Sequence, residues 1–179
     1  MIHIALLRGI NVGGNNMIAM AELRQLMEKL KFAGAQSLLQ SGNLVFTSPR
    51  LTGDALERHL EAETAKRFDV TVDYLVRTAD EWKKIIARNP FPKEAKLDPG
   101  HLLVMCLKAS PQAKDVKNLQ TTIKGREVVH ADAKQLYLVY PDGVGNSKLT
   151  NTLIERTLAT RGTARNWNTV LKLAALVDS

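Results

Sequence analysis

Leu38-Leu39-Gln40-Ser41-Gly42-Asn43-Leu44-Val45-Phe46-Thr47 is the stretch whose reading decides the fold. Two short apolar runs, residues 38–41 and 44–47, flank Gly42-Asn43. A two-residue connection of that type marks a β-hairpin, because tight turns need positive φ. Upstream, Ile2 to Leu7 reads as a strand, and Met20, Leu23, Met27 and Leu30 repeat at helical spacing up to about Lys31. Downstream, Leu56, Leu60 and Phe68 mark the inner side of a second helix. Val70, Val72, Tyr74 and Val76 then alternate with polar residues, as in a half-buried strand. With the hairpin in the middle the order is β-α-β-β-α-β, the split pattern of a ferredoxin-like sandwich. Both helices would cover one face of an antiparallel sheet, and its first two strands would run parallel. Arg8 and Gln40-Ser41, which follow those strands, should then share one edge of the sheet.

The rest of the chain repeats much of this order. Thr78 and Glu81 form a capping-box pair for a helix with Trp82, Ile85 and Ile86 as its apolar stripe. Asn89-Pro90-Phe91-Pro92 ends that helix, and the segment to Gly100 reads as a linker or long loop. Leu102 to Leu107 is a continuous apolar run that suits a buried strand, and Ser110-Pro111 is a helix start. Glu127 to His130 and Leu136 to Tyr140 read as a second hairpin. Two helices close the chain, one from about Ser147 and one from about Trp167. The expected class is α+β: a ferredoxin-like half over 1–78, a helix and linker over 79–100, and a second half over 101–179. That second half reads β-α-β-β-α with C-terminal helices, an incomplete plait.

Composition bounds the chemistry. A chain of 179 residues holds one domain or two small ones, and 45% apolar with 24% charged residues is ordinary for a globular protein. The apolar runs are far too short to span a bilayer, and no signal segment opens the chain, so no membrane partner is expected. Cys106 is the single cysteine, which excludes an intrachain disulfide and fits a reducing cytoplasm. A net charge of +7 favours anionic partners. RNA-recognition sheets stack bases on aromatics of central strands. Here aromatics make up only 5%, and the first strand offers only His3. Nucleic acid therefore stands as an alternative partner through a basic phosphate track alone.

Leu7-Arg8-Gly9-Ile10-Asn11-Val12-Gly13-Gly14-Asn15-Asn16 links the first strand to the first helix. Glycine-rich junctions of this kind can turn backbone N–H groups toward an anion. The spacing matches neither the dinucleotide fingerprint nor the Walker loop, since Gly14 is followed by Asn15-Asn16. Two readings stand: a polar-ligand loop with Arg8 as its fixed charge, or a structural connection. Ser41-Gly42-Asn43 is a hairpin turn by type, and its place beside the glycine loop adds a ligand reading. Ser41 has no local histidine to activate it as a nucleophile. In Gly143-Val144-Gly145-Asn146-Ser147-Lys148, Asn146 or Ser147 would cap a helix whose first turn holds Lys148, a cation against the dipole that an anion would offset. Thr163 or Asn166 would cap the last helix. Arg165, Asn166 and Asn168 beside Trp167 would form a ligand wall or a hydrogen-bonded strut. His3, His59, His101 and His130 have no metal-ligand spacing, and Cys106 reads as an inert core thiol.

Four blocks together carry a resemblance: Leu6 to Gly14, Gln40 to Phe46, Ser147 to Thr150, and Arg165 to Val170. In this order they resemble the bacterial family known as domain of unknown function 1697, with Leu38 where the family often has an aromatic. The resemblance implies a cytoplasmic α+β protein of two ferredoxin-like halves and implies no activity. The combined expectation is a small anionic ligand, phosphorylated or carboxylated, held in a cleft between the halves. Its wall would comprise Arg8, Gly9, Asn11, Gly13, Gly14, Gln40, Ser41, Gly42 and Asn43, with Ser147, Lys148, Arg165, Asn166 and Asn168. The alternatives are non-specific nucleic-acid binding and a structural or protein-interaction module. Catalysis is left open, and neither a cofactor nor an oligomeric state follows from the residues.

Overall fold

The structure, a computed structural model, describes residues 1–179. The chain divides into two compact units, Met1–Lys84 with Lys172–Ser179, and Ile85–Leu171. In the first, β1 (Ile2–Arg8), α1 (Met20–Lys29), β2 (Ala33–Ser37), β3 (Asn43–Thr47), α2 (Gly53–Phe68) and β4 (Asp73–Thr78) follow one another. They form an antiparallel sheet in the order β2-β3-β1-β4. Next come α3 (Ala79–Ala87), α4 (Pro92–Leu97) and a 3-10 turn at Pro99–His101. The second unit contains β5 (Leu102–Leu107), α5 (Ala113–Thr122), β6 (Val128–Asp132), β7 (Gln135–Val139), α6 (Asn151–Leu158) and β8 (Gly162–Asn166), followed by α7 (Trp167–Asp178). Its sheet order, β6-β7-β5-β8, repeats that of the first.

The second half therefore holds a four-stranded sheet, one strand more than the β-α-β-β-α order expected from the sequence. Residues 162–166 form a fourth strand, with Val104 opposite Arg165 and Leu107 opposite Gly162. Its sequence, Gly-Thr-Ala-Arg-Asn, lacks the apolar alternation that announces a strand. A Cβ on Gly162 would stand 2.6 Å from the Cys106 carbonyl oxygen, so glycine is what lets the strand approach β5. The first hairpin is also differently built. β2 is Ala33–Ser37, and residues 38–42 form the connection, with Leu38 N–H donating to Asn43 O at 3.0 Å. This edge strand uses small residues and carries a register shift between Ala33 and Gln36, which hides it from a hydrophobic reading. The segment read as linker is partly helical, because Pro92 stands in the first turn of α4, where a missing N–H costs nothing. The capping box appears as expected: Thr78 N–H donates to Glu81 Oε2 at 2.7 Å, and Glu81 N–H to Thr78 Oγ1 at 3.1 Å.

Ala5, Leu7, Leu44, Phe46, Tyr74 and Val76 on one sheet face pack with Leu23 and Met27 of α1 and Leu56 and Leu60 of α2. Met105, Leu107, Leu136 and Leu138 pack with Leu119 of α5 and with Ile154 and Leu158 of α6. The opposite faces are buried too, through Ile4, Leu6 and Leu75 in one unit and Val104, Cys106 and Tyr137 in the other. This explains the unbroken apolar runs of β1 and β5. Helix carboxylates satisfy the outer strands at one edge of each sheet. Tyr74 and Val76 N–H donate to Glu61 and Glu57 at 2.9 and 2.8 Å, and Gly162 N–H donates to Glu155 at 3.2 Å. An edge capped in this way cannot template another strand.

His3 is fully buried, with Nε2 3.1 Å from Thr52 Oγ1 and Nδ1 unpartnered. Burial pushes its pKa below the ordinary 6.5. On acidification through 6.5 the unfolded chain takes up a proton that the folded chain refuses, so stability present above that pH is lost below it. Urea midpoints measured from pH 7 to pH 5 should fall, and His3→Leu should flatten the fall. Parallel curves for the two proteins would contradict this.

Candidate functional site

In the first unit the glycine loop is a miniature hairpin. Val12 bridges Asn15, Asn15 N–H donates to Val12 O at 3.1 Å, and Gly13 and Gly14 between them have φ of +59° and +78°. Two consecutive positive φ values define the type I′ class of turn, which explains the paired glycines. Asn11 holds its base. Its Nδ2 donates to Ile18 O at 2.9 Å and to Gln40 O at 2.8 Å, while its Oδ1 accepts from Ile18 N–H at 2.8 Å. The loop and the 38–42 connection are thus neighbours, as the parallel run of β1 and β2 requires. Asn16 Nδ2 donates to Gly9 O at 3.1 Å.

Arg8 lies 3.3 Å from Asp73 Oδ2, which answers its charge from β4. Asn43 is fully buried and donates through Nδ2 to Leu38 O at 2.7 Å and Ser41 Oγ at 3.0 Å, closing the connection from inside. Gly42, at φ +82°, has Leu7 and Ile10 where a Cβ would stand, and its carbonyl accepts from Leu7 N–H at 2.8 Å. Gln40 enters this network through its backbone only. The side-chain amides of Asn11 and Asn43 are therefore engaged by partners within the unit.

In the second unit, Ser147 and Lys148 line a cavity of about 530 Å³ with Lys124, Gly125, Glu127 and Asp142. Its walls are the C-terminal end of α5 and the long β7–α6 connection. Ser147 Oγ donates to Glu127 Oε1 at 2.6 Å and accepts from Leu149 N–H at 3.0 Å. Asp142 is engaged by Arg126, whose Nε donates to Oδ2 at 3.1 Å, and this pairing lowers the Asp142 pKa. Both carboxylates of the cavity are thus held by hydrogen-bond donors, while Lys124 and Lys148 extend its cationic lining. The helix begins later than its sequence suggests. Thr150, not Asn146 or Ser147, is the N-cap, accepting from Leu153 N–H at 3.2 Å. Lys148 precedes the helix and does not oppose its dipole from the first turn. No motif in the sequence marks Lys124 or Glu127 as site residues, although the Lys124-Gly125 and Asp142-Gly143 pairs are turn signals flanking the same cavity.

Arg165, Asn166 and Asn168 do not line this cavity. Asn166 caps α7, its Oδ1 accepting from Thr169 N–H at 3.0 Å, and Asn168 is exposed. Arg165 is buried and donates through Nη1 to Thr163 Oγ1 and Ala164 O, both at 2.8 Å. Burial lowers its pKa to about 10. Arg77 of β4 has the same relation to its sheet: it is buried, and its Nη1 donates to Val76 O at 2.8 Å. In each unit a buried arginine thus stands directly before a helix-capping residue.

The sequence model for DUF1697, described as a protein of unknown function, matches residues 1–137. The chain belongs to this family. The match takes in the glycine loop and the first hairpin of this DUF1697 protein, whereas Ser147-Lys148 and Arg165–Val170 lie beyond the matched span. A solved structure, that of the conserved bacterial protein SP0830 from Streptococcus pneumoniae, is similar at 22% identity over 98% of both chains, with a TM-score of 0.73. At that identity the likeness establishes the shared fold. No functionally curated protein matches the DUF1697 chain significantly. None of its helices is long and apolar enough to cross a membrane.

Proposed function

We propose that this DUF1697 protein is a binding protein for a small anionic, phosphorylated or carboxylated ligand, and that the second-unit cavity holds it. The observation that carries the reading is the meeting of Lys124 and Lys148 on one cavity of about 530 Å³, whose two lining carboxylates, Glu127 and Asp142, already accept from Ser147 and Arg126. That volume lies in the ligand range of roughly 300–1,000 Å³. An ammonium group is a compact charge suited to phosphate or carboxylate. In this reading each unit is a ferredoxin-like plait, supported by the element order and the repeated strand order, and the single buried thiol suits a cytoplasmic setting. Arg8, Asn11, Asn43 and Asn166 act in it as structural members, because each is tied to a partner within its own unit.

Titration of ¹⁵N-labelled protein with inorganic phosphate should move the amide signals of residues 122–127 and 142–149 in a saturable way. Removing both ammonium groups, in Lys124→Ala with Lys148→Ala, should weaken the response about tenfold or more, the effect of losing one or two charge-assisted hydrogen bonds. A response unchanged in the double variant would place the anion elsewhere.

A further inference from the structure

The geometry points to a second anion site in the first unit, suited to a small organic phosphate and formed by Lys31, Arg50 and His59. These three side chains line a cavity of about 490 Å³, together with Phe32, Pro49 and Leu51, and no carboxylate lines it. It sits between the end of α1 and the β3–α2 connection. The topologically equivalent place in the second unit is the cavity at Lys124 and Lys148. The inference takes its ligand class from the anion-binding reading and stands on different residues.

Each basic group comes from a separately fixed element. At the end of α1, Lys31 N–H donates to Glu28 O at 2.9 Å and Phe32 N–H to Met27 O at 3.0 Å, with Lys31 at φ +61°. This is the Schellman arrangement, in which the left-handed position normally belongs to glycine. The carbonyls at the end of α1 are thereby answered within the helix terminus. A lysine here accepts a backbone conformation that favours glycine, and the residue lines the cavity. Arg50 stands in a pinned loop: buried Ser48 Oγ accepts from Leu51 N–H at 3.2 Å and donates to Leu51 O at 2.9 Å. His59 of α2 meets the edge of Phe32, ring centres 6.2 Å apart, and Phe32 stacks on Phe46 at 5.2 Å. Lys31 and Arg50 give the cavity two permanent positive charges and no lining carboxylate offsets them, which favours an anion there. A guanidinium fork and an ammonium group match a phosphate, and Leu51 with Pro49 gives its organic part an apolar wall.

The test is a titration of the ¹⁵N-labelled full chain with phenyl phosphate, read residue by residue. Amides at residues 30–32, 50 and 51 should shift saturably. Lys31→Gly should weaken that response about tenfold, with its thermal midpoint unchanged or raised because glycine suits the position. Arg50→Ala should weaken it similarly. Signals at 122–127 and 142–149 report the other cavity separately. Their silence alongside a response at 30–32 would overturn the second-unit assignment and support this one. No saturable shift at 30–32, 50 and 51, or a shift that persists unchanged in the Lys31→Gly, Arg50→Ala double variant, overturns the inference.

Discussion

Gly42→Ala and Gly162→Ala should each destabilise the unit that holds them by about 3 kcal/mol, whereas Gly13→Ala should cost about 1 kcal/mol. At Gly42 a Cβ would lie 2.8 Å from both Leu7 Cβ and Ile10 Cδ1, and the residue's φ of +82° is unfavourable for any L side chain. Leu7 and Ile10 are core residues with nowhere to retreat. At Gly162 the obstacle is the Cys106 carbonyl oxygen at 2.6 Å, which is backbone and can yield only if β8 moves away from β5. At Gly13 nothing stands within 4 Å, so only the positive φ opposes alanine. Urea unfolding of the three variants should show that ranking in the midpoints. Equal losses at Gly13 and Gly42 would contradict it.

The parts of the fold legible in the sequence are those where one local signal dominates. β1 and β5 are buried on both faces, so their apolar runs are unbroken. The Thr78–Glu81 box and the Asn166 cap rest on side-chain-to-backbone bonds only three residues apart. β2 and β8 are illegible for the opposite reason. Ala33-Gly34-Ala35 and Gly162-Thr163-Ala164 gain their strand state from pairing with β3 and β5, and tertiary pairing overrides weak local preference. Glu155, placed on the preceding helix, holds β8 at Gly162 in a way that no nearby pattern announces.

The candidate site divides along the same line. The glycine–asparagine motifs stand out by composition, and their composition is accounted for by turns: the paired positive φ at Gly13-Gly14, the buried amide of Asn43, and the Asn11 clasp. Lys31, Arg50 and Lys124 are single cations that no local motif marks. Only the packing of a helix end against a β–α connection brings them to cavities.

Asn11→Ala separates these two kinds of residue. It removes three hydrogen bonds of 2.8–2.9 Å and leaves alanine at a φ of +53°. At about 1 kcal/mol for each bond, less what water restores at a half-exposed site, the first unit should lose about 2 kcal/mol. The decisive measurement is the phosphate titration of amides 122–127 and 142–149 in Asn11→Ala beside the Lys124→Ala, Lys148→Ala pair. The Asn11→Ala protein should be destabilised with an unchanged binding curve, and the lysine variant should keep its stability while its curve is weakened about tenfold. A binding curve lost in Asn11→Ala and retained in the lysine variant would contradict this.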